Sequence, residues 1–193
     1  MGKIIHGNKN FGFAPITEAG GTYSFGTPVM IPGLVGVEVE VEQESSSVYA
    51  DDKEFCRVKG AKVRTATVTF RNIPAAYAPY LGFIQNDSGM FTDTGTFANH
   101  CIFFETEEED CDTGLSTTTL HYLYNVQASE PTQESSTDED EVEAAEIKVE
   151  YNAADSQFVV DDNGKYVQYG YITRTAENSA VYDTFTSSVI KPV

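Results

Sequence analysis

Val37-Glu38-Val39-Glu40-Val41-Glu42 alternates residue by residue between an aliphatic and an acidic side chain. A strand repeats its side-chain direction every two residues, so the three valines share one face and the three glutamates the other. The valine face is built to pack on a core and the glutamate face to meet water. Like charges crowded along one strand repel, so the chain tolerates a cost there. The same period returns at 61–71, where Ala66, Val68 and Phe70 oppose Thr65, Thr67 and Thr69, β-branched residues that suit a pleated, half-wet surface. It returns again at 146–154, where Ile147, Val149 and Tyr151 oppose Glu146, Lys148, Glu150 and Asn152.

Outward from these strands the chain is punctuated. Residues 1–33 carry Pro15, Gly20, Gly21, Gly26, Pro28, Pro32 and Gly33 and no long periodic segment. They read as an extended N-terminal arm with short strands, whose Ile4, Ile5, Phe11, Phe13, Tyr23 and Phe25 need cover, with a neighbouring subunit as a candidate. Residues 43–60 start with the polar run Gln43-Glu44-Ser45-Ser46-Ser47 and place Tyr49 and Phe55 beside acids. They read as a long inter-strand loop, uncommon unless it has a job. Ile73-Pro74 ends a strand; 75–81 fits a short helix limited by Pro79 and stopped by Gly82. Residues 85–99 are turn-rich. Residues 100–105 read as a buried strand, Glu107–Asp110 with Thr113-Gly114 as a turn, and 117–127 as the returning strand of a hairpin.

Residues 128–144 combine low hydrophobicity with many acids and read as a mobile acidic loop between two strands. Residues 158–160 and 166–173 flank Asp161-Asp162-Asn163-Gly164, an Asn-Gly hairpin signal. A short amphipathic helix within 176–189 would use Val181, Tyr182 and Phe185. The fold class that follows is a mainly β single domain spanning 1–193. It is an antiparallel sandwich or barrel with one or two short helices.

Composition narrows function. Thirty Asp and Glu against twelve Lys and Arg give a net charge of −18. Such a chain repels DNA, because sequence-independent affinity comes from Lys and Arg displacing counterions, and it avoids anionic membranes. No secretory signal or membrane span is visible, and Cys56, Cys101 and Cys111 show no CxxC spacing. They read as reduced thiols of a protein folded in cytoplasm, with one pair able to bridge. No carboxylate pair is singled out for glycoside chemistry. His6, His100, His121 and the cysteines lack metal-ligand spacing. Asp161-Asp162-Asn163-Gly164 lacks the spacing and closing Glu of an EF-hand loop. No phosphate loop, dinucleotide fingerprint or nucleophile elbow occurs, so no catalytic residue, cofactor or metal is expected.

Several pieces stand in a distinctive order. Gly7-Asn8-Lys9-Asn10 and Ala14-Pro15-Ile16 precede Tyr23, Thr27-Pro28, and Pro32-Gly33 leading into the alternating strand. Tyr49-Ala50-Asp51-Asp52 lies in the next connection, and a strand, Ile73-Pro74 and a helix ending at Leu81-Gly82 follow. Across roughly the first half of the chain this order resembles the major tail protein family of siphophages infecting Gram-positive bacteria. The C-terminal half matches loosely, and the acidic run near 130–141 looks like an insertion. The resemblance implies a virion structural protein, made in the host cytoplasm, that self-assembles into hexameric rings stacked into a tail tube for genome ejection.

The partners implied are other copies of itself, tape-measure protein and passing DNA in the lumen, and tail terminator and distal tail proteins at the ends. On that architecture Glu38, Glu40, Glu42, Thr65, Thr67, Thr69, Glu146, Lys148 and Glu150 are candidates for the lumen wall. Phe11, Phe13, Tyr49, Ala50, Asp51, Asp52 and Phe55 are candidates for contacts between subunits, with 43–60 bridging rings. The alternatives are a terminator or decoration protein that stops at one ring or coats a surface, an acidic surface-binding β module, and a glycan hydrolase.

Overall fold

The computed structural model describes residues 2–50, 52–134 and 144–192. Twelve strands run β1 Lys3–Ala19, β2 Thr22–Phe25, β3 Val29–Met30, β4 Leu34–Ala50, β5 Lys53–Phe70, β6 Phe83–Gln85, β7 Phe91–Asp93, β8 His100–Asp110, β9 Ser116–Ala128, β10 Thr132–Glu134, β11 Glu146–Ala153 and β12 Tyr169–Thr173. A 3-10 helix, Ala75–Leu81, and a short helix α1, Ser179–Tyr182, complete the set. The main sheet has the order β2-β1-β8-β9-β11-β5-β4, with β10 on β11, β12 on β9 and β3 on β1; β6 and β7 form a separate hairpin. All pairings are antiparallel.

The sheet folds over on itself where β9 passes from β12 to β11, giving the expected sandwich. Between its layers lies a core built from Phe11 and Phe13 of β1, Ala66, Val68 and Phe70 of β5, Ile102 and Phe104 of β8, and Val149 and Tyr151 of β11. Tyr77 and Leu81 of the 3-10 helix close one end. A second core lies on the other side of β8 and β9. There Cys101, Phe103, Leu120, Tyr122 and Tyr124 are covered by Val159, Tyr182 and Phe185 from the C-terminal segment. Strand β8 is thus buried on both faces, which explains the unbroken run Cys101-Ile102-Phe103-Phe104: even positions serve the first core and odd positions the second.

Several expectations change. Residues 3–19 are not a free arm but a full strand of the sheet, pairing with β8 along most of its length. Phe11 and Phe13 are buried in the chain's own core, Phe11 wholly so, and are not available to anchor in a neighbour. Gly12 between them lies so close to the Phe103 ring that a Cβ there would overlap it. The 43–60 connection is no irregular loop: β4 and β5 run on as one hairpin to its turn, with bulges between Gln43 and Ser45 and between Val48 and Tyr49. Glu107–Asp110 belongs to β8, and the turn falls at 111–115.

Part of the 128–144 segment is also ordered, since Thr132–Glu134 adds a strand to β11; residues 135–143 lie outside the described residues. The Asn-Gly turn is present, closed by Asp161 accepting from the backbone N–H groups of Asn163 and Lys165. Its flanks meet only at the Val160–Tyr166 bridge, because β12 pairs with β9 instead. The 75–81 helix ends as expected at Gly82, left-handed at φ 83°. In the 176–189 segment Tyr182 and Phe185 are buried, whereas Val181 is exposed.

Candidate assembly surfaces

The nine residues expected on a channel wall come together. Cross-strand partners in an antiparallel pair share a face. Glu38 pairs with Thr67 and Thr67 with Glu150; Glu40 pairs with Thr65; Thr69 pairs with Lys148. Glu42 continues the row on β4 opposite Val63, and Glu146 continues it on β11. The opposite face of the same three strands carries Ala66, Val68, Phe70, Val149 and Tyr151, all buried, with Val37 and Val39 packed against them. The polar face is therefore the outer surface of one sandwich layer. Glu38, Glu40, Glu42, Lys148 and Glu150 are exposed; the threonines between them and Glu146 are half-buried. Its cations are committed: Arg71 pairs with Glu146 at 3.3 Å and Lys148 approaches Glu134 at 4.0 Å.

A second surface is the hairpin arm itself. Beyond Arg64 nearly every residue is exposed, Tyr49 at 69% and Phe55 at 76%, and Ala50 and Asp52 flank the turn. Asp52 takes φ 59°, a left-handed conformation that Asp tolerates in tight turns. Asp51 lies outside the described residues. An isolated two-stranded hairpin is marginal in water, and this arm leaves Val48, Phe55, Val58 and Val63 uncovered.

Two buried polar clusters hold the body rigid behind these surfaces, and neither was visible in the sequence. His100 Nδ1 lies 2.8 Å from the Ala98 carbonyl, which can only accept, so the ring proton sits on Nδ1. Nε2 then accepts from the Tyr77 hydroxyl at 2.6 Å, which leaves the Tyr151 hydroxyl, 3.0 Å from that of Tyr77, to donate to it. Burial holds the imidazole pKa down to about 4. Glu105, also buried, accepts from the Asn10 side chain, at the β1 bulge, and from the Tyr182 hydroxyl of α1. Burial and then the bond to Glu105 push the Tyr182 phenol well above its usual range. This pins the C-terminal segment to the sheet, with help from Tyr124 donating to the Ile190 carbonyl at 3.0 Å and Arg174 pairing with Asp183 at 3.0 Å.

The three cysteines are free, and no helix is long and apolar enough to cross a membrane among the described residues. The body is a sandwich with one polar outer layer face and a strand pair extending past its own core. The chain belongs to the phage tail tube protein family, whose model matches residues 2–193. No curated protein sequence matches it. It is a structural component of a phage tail, with a mainly β, antiparallel fold.

Proposed function

We propose that six copies close into a ring with the polar face of β4, β5 and β11 turned to a central channel, and that rings stack into the tail tube. The observation that carries this reading is the convergence of Glu38, Glu40, Glu42, Thr65, Thr67, Thr69, Glu146, Lys148 and Glu150 on one sheet face backed by core. β4 is an edge strand, and an unpaired edge is satisfied by a strand of another chain. A head-to-tail contact repeats without limit along an axis. Carboxylates along the wall deny phosphate a place to adhere, so DNA slides, and the tape-measure protein shares that space during assembly. The arm, with Tyr49, Ala50, Asp52 and Phe55 at its end, reaches the next ring; exposed aromatics of this kind dominate interface energy. Terminator and distal tail proteins meet the tube at its ends, and assembly takes place in the host cytoplasm.

A density map of assembled tubes tests the orientation: Glu38 and Glu40 are expected on the lumen, and their appearance on the outer wall would refute it. Deleting 45–54 is expected to leave a folded monomer that no longer polymerises, and undiminished tubes in negative stain would remove the arm from the account.

A further inference from the structure

The arm has two chemically different sides. Val39, Val41, Gln43, Ser45 and Ser47 of β4 pair in turn with Ala66, Arg64, Lys62, Lys59 and Arg57 of β5. Ala66 faces the core, so Arg64, Lys62, Lys59 and Arg57 continue that face outward, opposite the glutamate wall. Four of the chain's twelve Lys and Arg thus form one strip from the root of the arm toward its tip.

Five of the eight Lys and Arg off the strip are committed to an acid, and Lys53, Lys165 and Lys191 have no ion pair among the described residues. Lys3, Lys9, Arg71, Lys148 and Arg174 each meet a carboxylate. On the strip only Arg57 does, through Glu54 in the arm itself. Among the described residues no ion pair reaches Lys59, Lys62 or Arg64. Arg64 is the clearest case. Its guanidinium stacks on the Tyr169 ring at 4.1 Å, and its Nε is the one buried side-chain nitrogen or oxygen without a hydrogen bond among the described residues. Burial lowers its pKa, with only the Tyr169 phenol acting to raise it. It lines an open cleft of roughly 390 Å³ at the arm's root, where Lys62 and Lys165 stand with it against Asp155 and Asp161, the latter already accepting from the backbone of its own turn. A half-desolvated guanidinium is a site for a carboxylate, which it binds through two parallel N–H donors.

We propose that the strip Arg57-Lys59-Lys62-Arg64 is a docking site for carboxylates of a second copy of this chain, with Arg64 in its cleft as the anchor. The proposal rests on the tube reading, which supplies the second copy. Charge complementarity supports it: every copy presents thirty acids against twelve Lys and Arg, so an uncovered cationic strip meets a carboxylate on whichever copy it reaches. Passing DNA is the poorer match, because the strip lies on the arm face turned away from the proposed channel. The contact gives a strongly acidic chain an attraction at short range that offsets its net repulsion.

The test compares wild type with Lys59→Glu/Lys62→Glu and with Arg64→Met by sedimentation over a concentration series, with tubes verified in negative stain. Each variant is expected to need about tenfold more protein to polymerise, equivalent to about 1.4 kcal/mol per copy. The Lys pair is exposed, so that variant keeps the monomer melting temperature. Arg64→Met removes an unpaired N–H and is expected to keep or raise it, whereas a merely structural Arg64 would lower it and leave polymerisation unchanged. Raising salt from about 0.1 M to about 1 M shortens screening from about 10 Å to about 3 Å. Salt screens the net repulsion in both proteins but the attraction only in wild type, so the Lys variant's threshold is expected to fall and its gap to wild type to narrow. Variants that polymerise at the wild-type concentration overturn the proposal, as does loss of binding to a short DNA duplex without loss of polymerisation. A wild type that forms no tubes at any concentration refutes the tube reading itself and this inference with it.

Discussion

Lowering the pH from 7 to 5 should destabilise the folded subunit, chiefly through His100. In the fold its ring is enclosed by Phe13, Tyr77, Tyr80 and Tyr151, with no carboxylate among them. Its two nitrogens are already committed to the Ala98 carbonyl and the Tyr77 hydroxyl. The folded-state pKa of about 4 lies below the ordinary value of 6.5. The unfolded chain therefore binds the proton first, and stability rises with pH in this window. The contribution is fully present above about pH 6.5 and is lost as pH falls toward 4. From those two values the loss is about 2 kcal/mol at pH 5 and about 3 kcal/mol at pH 4.

For a domain of this size 2 kcal/mol corresponds to a melting temperature lower by roughly 4–8 °C. Urea denaturation of dispersed subunit at both pH values measures it, and His100→Phe isolates it. That variant leaves Ala98 O without its partner and the Tyr77 hydroxyl with only Tyr151, which costs about 1–3 kcal/mol at every pH. Its own loss between pH 7 and 5 should be smaller than wild type's by about 2 kcal/mol. The His121 pKa is also lowered by burial, and His121 pulls in the same direction in both proteins, so it cancels in the comparison. Equal losses in wild type and variant, or a His100 ring signal titrating near pH 6.5 by NMR, would refute the reasoning.

Gly12→Ala should destabilise the subunit by about 1–3 kcal/mol in thermal melts, because the added methyl group meets the Phe103 ring and the Val29 carbonyl. Phe11→Ala should cost about 3–5 kcal/mol in the unassembled subunit, since the ring packs edge-on against Phe70 at 4.9 Å within one chain; an unchanged melt would return Phe11 to the interface. Tyr182→Phe removes one of the two donors to buried Glu105 and should cost about 1–3 kcal/mol, with proteolysis of the C-terminal segment accelerated before global unfolding.

The periodic strands were legible because a strand with one buried face writes its period into the sequence. Val37 to Glu42, Thr65 to Phe70 and Glu146 to Tyr151 each give both the element and the inward side. The 3-10 helix was legible from Pro74 and Gly82, which fix its ends through backbone geometry alone. The arm was not, because it buries neither face. With no core to select aliphatic residues, its alternation of Ser and Val against Lys and Arg reads as polar irregularity, and the bulge at Gly60 and Ala61 breaks the period. β1 was missed for a related reason: Gly7 and Asn10, both at positive φ, sit where its register slips, so bulges inside a continuous strand break its period. The Tyr77–His100–Tyr151 and Asn10–Glu105–Tyr182 clusters join residues up to 95 positions apart, and local pattern carries no trace of them.

Two demands conflict in a chain of this composition. A channel that lets DNA pass needs a wall of carboxylates, but copies that carry a net charge of −18 repel one another before their interfaces meet. The hairpin arm offers a resolution in its own alternation. Because a strand sends successive side chains to opposite faces, one pair of strands presents Glu38, Glu40 and Glu42 on one side and Arg57, Lys59, Lys62 and Arg64 on the other. The acids and the cations need not compromise with each other, since β4 and β5 divide them by face. On the proposed arrangement the same element lines the passage and draws in the next copy. A one-residue slip in its register would exchange the two faces and defeat both roles. That gives the bulges a purpose: they fix where the exposed arm's register can change, at positions where no core residue would.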